Sequence, residues 1–123
     1  MLTDFLKPTG QLKIVLRDKD GNIKSEKTET NLVVTGGLAY IASRMTDSSI
    51  PTDMSHMAVG TGTTSAAAGN TALVTESARV ALTGGEGAPS TNTIVYTATF
   101  AAGTGTGALT EAGVLNASSS GTM

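Results

Sequence analysis

The chain has 123 residues with a net charge of −2, fifteen glycines, no cysteine and no tryptophan. Its length corresponds to about one domain, and the lack of cysteine excludes a disulfide framework and a cysteine-based metal site. Basic residues concentrate before residue 47, but acids are mixed among them and no dense basic stripe with interleaved aromatics is present, so the pattern is not that of a nucleic-acid-binding protein.

The first ten residues, MLTDFLKPTG, predict an N-terminal arm over 1–10. They lack the basic region and apolar run of a signal peptide, and no later stretch has the ~18 apolar residues of a membrane span. We expect the arm to contact a partner through four side chains: Leu2, Phe5, Leu6 and Lys7. A frayed terminus, or a strand that lies on its own domain, is the open alternative.

Residues 11–30 predict a β-hairpin. In QLKIVLRD, the residues Leu12, Ile14 and Leu16 occupy every second position, which is the period of a half-buried strand. The sequence DKDG at 18–21 supplies turn chemistry, and NIKSEKTET continues as a polar strand that we expect at a sheet edge.

The turn of this hairpin also resembles a calcium-binding EF-hand loop. Asp18, Asp20, Asn22 and Glu29 occupy the first, third, fifth and twelfth positions of such a loop. The sixth position requires glycine, where this chain has Ile23, and no helix is predicted on either side. We therefore interpret the segment as a turn without a metal.

Residues 35–45 predict one short amphipathic helix. Apolar side chains recur at the i, i+3, i+4 and i+7 positions of one helical face: Leu38, Ile41, Ala42 and Met45. Thr35 is the expected N-cap, and the helix should end in TDSSIP because Pro51 and the residue before it disfavour helical backbone.

Four further strands are predicted over 56–61, 77–84, 92–101 and 108–117. The clearest alternation is in 93–100, where Tyr96 and Phe100 fall on the side that we expect to face inward. Six strands and one helix leave no crossover helices for an α/β protein. We therefore predict a mainly β fold, a jelly-roll-like β-sandwich that forms a single domain over 11–123.

The second half of the chain has a composition that predicts a weak core. From Ala58 onward, 45 of 66 residues are Ala, Gly, Ser or Thr. Small side chains bury little apolar area each, at about 25 cal/mol per Å². We expect this half to depend on the rest of the chain or on neighbouring subunits.

The stretch HMAVGTGTTSAAAGNTAL at 56–73 resembles a glycine-rich phosphate-binding loop after a strand. A phosphate loop needs a lysine after its second glycine, and no lysine occurs after Lys27. A dinucleotide-binding fingerprint needs a third glycine where this chain has Ser65. We therefore expect a strand-end loop without a nucleotide.

No set of residues predicts catalysis. His56 is the only histidine, so a Ser-His-acid arrangement depends on one base at the start of a strand. Arg79 is the only basic residue after residue 46, and we expect it to form an ion pair with Glu76 or Glu111. The sequence thus predicts a protein that is not an enzyme, with no catalytic residue, no cofactor and no metal.

Four segments resemble a family of small virion structural proteins of tailed bacteriophages: NLVVTGGLAYIASRM, MAVGTGTTSAAAGNTALVTESAR, TIVYTATF and LTEAGVLNASSSGTM. The similarity covers roughly residues 31–123. It implies a β-sandwich structural protein, either a capsid cement (decoration) protein or a tail-fibre or baseplate component, and it implies no catalytic residue. Family members continue into one or two further strands, which leaves open a domain that lacks its last strands.

Two main hypotheses follow from the resemblance. The favoured one is a capsid cement protein that is made in the bacterial cytoplasm and joins the outer capsid surface of the virion. Its partners would be the major capsid protein and copies of itself, as a homodimer or trimer. The other is a tail-fibre or baseplate module for host attachment, and a host interaction domain without a virion role is a third alternative.

The aromatic residues favour the cement hypothesis. Sites that bind sugars usually expose flat rings, and the whole aromatic supply of this chain is Phe5, Tyr40, Tyr96 and Phe100. Tyr96 and Phe100 are expected to face inward, and Tyr40 is next to the apolar face of the helix. We expect no nucleic-acid, membrane or small-molecule partner.

Overall fold

The structure is a computed structural model that describes residues 7–46, 51–85 and 87–123. These residues form a mainly β protein with one short helix, as the sequence predicts. Two compact units make up the chain, Met1–Val33 and Val34–Met123. The predicted arm and single domain stay predictions. Within the described ranges, no helix is long and apolar enough to cross a membrane.

The first unit is an antiparallel hairpin, which confirms the hairpin predicted from the sequence. Strand β1 (Gly10–Arg17) pairs with strand β2 (Ile23–Asn31). The apolar side chains of β1 share a face with polar cross-strand partners: Leu12 with Glu29, Ile14 with Lys27 and Leu16 with Ser25. Every residue of β2 is exposed, in agreement with the predicted polar strand.

The described part of the second unit contains one helix and five strands: α1 (Thr35–Ser43), β3 (His56–Gly60), β4 (Glu76–Ala81), β5 (Ala88–Ser90), β6 (Thr93–Val95) and β7 (Glu111–Leu115). Strand β3 lies in the middle of a three-stranded sheet, antiparallel to β4 on one side and to β7 on the other. Strands β5 and β6 form a separate hairpin. The described sheets are small and unclosed.

The buried core of the second unit consists of few side chains. Ala58 of β3 is the register partner of Gly113 in β7, so this central pair of the sheet contributes little side-chain volume. Met123 packs against Gly113, where a Cβ atom would lie 2.9 Å from the Met123 sulfur. Among the described residues, five hydrophobic ones are buried: Val34, Met54, Ala58, Leu82 and Leu115. This core agrees with the weak packing expected from the small-residue composition.

Helix α1 confirms the predicted helix but differs from it at both ends. Val34, and not Thr35, occupies the N-cap position, without a side-chain cap. The Thr35 amide instead donates to the Ala68 carbonyl at 2.8 Å, so a distant loop satisfies this N–H of the first turn. The helix ends at Ser43 and none of its residues is fully buried. On the predicted apolar face, Ile41 is half-buried and the other three residues are exposed.

The strand predicted over 92–101 forms a ladder only at Thr93–Val95. Its partner is Ala88–Ser90, which sequence analysis missed because a strand containing Pro89 is unusual. The side-chain alternation continues past the ladder, since Tyr96 and Phe100 are half-buried while the threonines between them are exposed. The sequence therefore predicts which side chains of this segment face inward more accurately than which of its residues form backbone hydrogen bonds to another strand.

Candidate functional site

The predicted partner contacts Leu2, Phe5 and Leu6 lie outside the described residues. Lys7, the fourth of them, is exposed. The role of the arm in partner binding therefore stays a prediction.

The glycine-rich loop after β3 binds a carboxylate of the chain itself. Glu111, at the start of β7, accepts N–H bonds from Gly62 at 2.9 Å, Val74 at 2.8 Å and Thr75 at 2.7 Å. Thr110 adds a bond from its hydroxyl to the Gly62 carbonyl at 2.7 Å. We call the three amides and the Glu111 carboxylate the carboxylate cradle. It uses the amide chemistry of a phosphate-binding loop to hold a strand.

The cradle explains both a glycine and an altered pKa. A Cβ atom on Gly62 would lie 2.6 Å from Glu111 Oε1 and 2.7 Å from Val74 Cβ, so the carboxylate can approach only a glycine. Burial opposes ionisation of Glu111, but the three backbone donors lower its pKa below the ordinary value. Of the glycine-rich stretch 56–73, Gly62 supplies one of the three donors, and the other two come from the residues that follow it.

The EF-hand-like turn in the first unit also closes on its own carboxylate. Asp18 Oδ1 accepts the N–H groups of Asp20 and Asn22, each at 2.9 Å, and Gly21 has a φ of +86°. The Asn22 side chain is the largest cause that lowers the pKa of Asp18, followed by backbone donors. In the described part of the chain, no group of three or more His, Cys, Asp or Glu residues could hold a metal ion.

Arg79 forms the predicted ion pair, and its partner is Glu76 rather than Glu111. Nε and Nη2 of Arg79 donate to the two carboxylate oxygens of Glu76 at 2.8 and 2.6 Å, a bidentate geometry. Nη1 donates to the carbonyls of Ala117 and Ser120 at 2.9 and 2.8 Å. Arg79 thus fastens the turn after β7 to strand β4.

His56 lies beside a hydroxyl at the start of β3. Ser55 Oγ is 2.8 Å from His56 Nδ1. The Ser55 backbone bonds to Leu115 on one side and to Leu82 on the other. This pair lies where β3 joins its neighbours, and both of its residues are only half-exposed.

A cleft of about 260 Å³ lies between helix α1 and the β5–β6 hairpin. The helix and the segment after it contribute Tyr40, Arg44, Asp53 and Met54. The hairpin and its flanks contribute Gly87, Pro89, Ile94 and Tyr96. We call this the tyrosine cleft, because a tyrosine stands on each side of it.

Arg44 organises the polar side of the tyrosine cleft. Its Nη2 donates to Tyr40 Oη and to the Pro51 carbonyl, both at 2.8 Å, and also to the Asp53 carboxylate. The Arg44 guanidinium carbon is 4.6 Å from the centroid of the Tyr40 ring, a cation–π distance. The Met54 N–H donates to Tyr40 Oη at 3.4 Å. Phenol, guanidinium and carboxylate are therefore held side by side.

Tyr96 forms the aromatic wall on the other side. Gly87 packs against it so closely that a Cβ atom on Gly87 would lie 2.6 Å from Tyr96 Cε1. Burial raises the pKa of Tyr96, and the nearby Tyr40 and Asp53 raise it further, against a smaller opposing effect of Arg44.

The sequence does not predict that the cleft residues meet. It predicts only that Tyr96 faces inward and that Tyr40 lies next to the apolar face of a helix. One local signal was present, because side chains four residues apart, such as Tyr40 and Arg44, meet on a helix surface. Asp53 and Tyr96 reach the cleft only through tertiary packing, which leaves no periodic pattern in the sequence.

Comparisons with protein-family models, curated proteins and solved structures found no match to this chain. The similarity to virion proteins of tailed phages therefore stays an expectation that rests on the quoted segments.

Proposed function

We propose that the chain is a non-enzymatic bacteriophage virion structural protein, a capsid cement protein that bridges and stabilises major capsid subunits. The observation that carries the proposal is that the second unit has few buried and many exposed apolar side chains. Of the described residues, five hydrophobic ones are buried, and Leu115 is the one large side chain that is fully buried. Six large hydrophobic residues of this unit are exposed: Leu38, Met45, Val74, Ile94, Val95 and Leu109.

Association would supply the burial that this core lacks. Covering exposed apolar surface stabilises a complex by about 25 cal/mol per Å² of apolar area, before the costs of association. A specific interface buries roughly 1,200–2,000 Å² in total. A protein with a sparse core and many exposed apolar side chains is therefore suited to a lattice in which it contacts the capsid protein and copies of itself, as a homodimer or trimer on the outer surface.

The proposal includes a jelly-roll-like β-sandwich. Each described sheet is antiparallel, and an antiparallel sheet with an apolar face buries that face against a second layer. In the first unit, Leu12, Ile14 and Leu16 form such a face. A layer from this chain or from a neighbouring subunit would complete the sandwich.

Copy number per particle tests the proposed cement role. Quantitative mass spectrometry of purified virions that carry the chain compares its amount with that of the major capsid protein. We expect the two amounts to agree within a small factor. A copy number lower by about one or two orders of magnitude would contradict the cement role, and absence from the particles would contradict any virion role.

The predicted arm contacts can be tested on capsids assembled without the chain. We expect Phe5→Ala to weaken binding of the added protein about tenfold or more, as the loss of a buried aromatic anchor does. Thr30→Ala is the control, because Thr30 is exposed on β2, lies outside the arm and is not one of the apolar residues that association would cover. Equal binding of both variants would exclude the arm as the main contact.

A tail-fibre or baseplate module for host attachment is the second candidate function. One observation favours it, namely that Tyr40 and Tyr96 line an accessible cleft together with Arg44 and Asp53. The low copy number that contradicts the cement role is the result expected for this alternative.

A further inference from the structure

The tyrosine cleft combines hydrogen-bonding groups and flat apolar surface in a small space. Arg44 and Asp53 hold their donors and acceptors side by side, and their side chains are 34% and 52% exposed. Both side chains are therefore accessible to a ligand without a conformational change. The contacts of Arg44 with Tyr40 and Pro51 fix its position, so little order has to be gained on binding.

The charges of the cleft lining narrow the class of ligand. Arg44 and Asp53 neutralise each other, so a phosphate or carboxylate would meet the negative charge of Asp53. A metal cation would meet Arg44 and find one carboxylate, where calcium takes six to eight oxygen ligands. A neutral ligand with hydroxyl groups fits both charged side chains, because a hydroxyl can donate a hydrogen bond to Asp53 and accept one from Arg44.

The size and the apolar lining narrow the class further. At about 260 Å³ the cleft lies below the ~300–1,000 Å³ of sites for drug-sized ligands, so it has room for about one ring. Met54, Pro89 and Ile94 supply apolar atoms. The partly positive C–H groups on one face of a pyranose are attracted to the negative face of an aromatic ring. A sugar ring therefore matches the polar and the apolar side of the cleft at once.

We propose that the tyrosine cleft binds one neutral monosaccharide unit of a glycan, with its C–H face on Tyr96 and neighbouring hydroxyls on Arg44 and Asp53. This departs from the expectation, based on the sequence, that the protein has no small-molecule partner. It does not depend on the proposed cement role, because it rests on the side chains of one unit.

An NMR titration of the full, isotope-labelled chain tests the proposal. The probes are glucose, galactose, mannose, rhamnose and N-acetylglucosamine, added separately up to ~50 mM, above the millimolar affinity expected for so small a ligand. We expect at least one sugar to shift the amide signals of Tyr40, Asp53 and Tyr96 in a saturable way. No shift with any sugar, or shifts spread over the hairpin of the first unit, would overturn the proposal.

Variants separate the site from general effects on folding. Tyr96→Ala should abolish the shifts, Asp53→Asn should weaken binding at least tenfold, and Tyr96→Phe should retain binding because it keeps the ring. The matched control for Asp53→Asn is Asp20→Asn, an exposed aspartate of the hairpin turn, which should bind as the unchanged protein does. The amide spectrum shows whether each variant is folded.

Unchanged sugar binding by folded Tyr96→Ala would overturn the proposal. A proline-rich peptide is added to the unchanged protein as a second probe. If the peptide shifts the amide signals of the cleft and no sugar does, the cleft binds a protein partner and the proposal is wrong. Neither result bears on the copy number per particle, so the cement role and the sugar site can fail separately.

Discussion

Asp18 and Glu111 both accept backbone N–H bonds from glycine-containing loops, but their partners lie at very different distances along the chain. Asp18 bonds to Asp20 and Asn22, within four residues. Glu111 bonds to the amides of the carboxylate cradle, which lie 36 to 49 residues earlier. The first carboxylate shapes one turn, and the second joins three segments of the second unit.

This difference determines which unfolding events each carboxylate opposes. The bonds of Asp18 can persist or re-form whenever the turn forms, whether or not the rest of the chain is folded. The bonds of Glu111 require the folded sheet and are lost when that sheet opens. We therefore expect Glu111 to contribute to the global free energy of unfolding. We expect Asp18 to protect only the amides of its own turn against hydrogen exchange.

Glu111→Ala should have the largest effect on stability. It removes a carboxylate that accepts three N–H bonds, of which the bond from Gly62 is part-buried, and should lower the free energy of unfolding by about 3 kcal/mol. Urea denaturation measures this change. Glu29→Ala is the control, because Glu29 forms an exposed ion pair with Lys27 and should matter by less than ~0.5 kcal/mol. Equal values for the two variants would mean that the cradle does not stabilise the fold.

Gly62→Ala should have the next largest effect, because the added methyl group collides with the Glu111 carboxylate. We expect a loss of about 2 kcal/mol, typical of overpacking. Gly69→Ala is the control, since nothing lies within 4 Å of a Cβ atom there. In a Glu111→Ala background, Gly62→Ala should cost less, although the close contact with Val74 Cβ remains. Additive losses would show that the contact with Val74, and not the one with Glu111, causes the cost of Gly62→Ala.

Acid should weaken the cradle by a smaller amount than the deletion of Glu111. A carboxylate whose pKa is lowered in the folded state contributes stability that is present above its unfolded pKa and is lost as pH falls through its folded pKa. For Glu111 this loss begins below its ordinary value of 4.5. Urea midpoints between pH 7 and pH 3 should therefore fall more steeply for the unchanged protein than for Glu111→Gln. Parallel curves would assign the acid sensitivity to other carboxylates.

The same contrast explains how much could be predicted from the sequence. The hairpin turn was predicted correctly, since Asp18 and Gly21 act on residues next to them. The role of Glu111 was missed, because its partners are set by the pairing of β3 with β7. The tyrosine cleft was missed for the same reason, although the helical spacing of Tyr40 and Arg44 was a local signal. Periodicity indicates which elements form, and tertiary packing decides which side chains meet.

Asp18→Ala should have the smallest effect on global stability and a clear effect on the turn. The substitution removes the acceptor for the Asp20 and Asn22 amides, so their hydrogen exchange should become faster while the urea midpoint hardly changes. Asp20→Ala is the control, because the Asp20 carboxylate bonds only to Lys19 among the described residues and should leave both amides protected. A drop in the urea midpoint as large as that of Glu111→Ala would mean that the hairpin and the second unit unfold together. The distance between bonded residues along the chain would then not separate local from global effects in this protein.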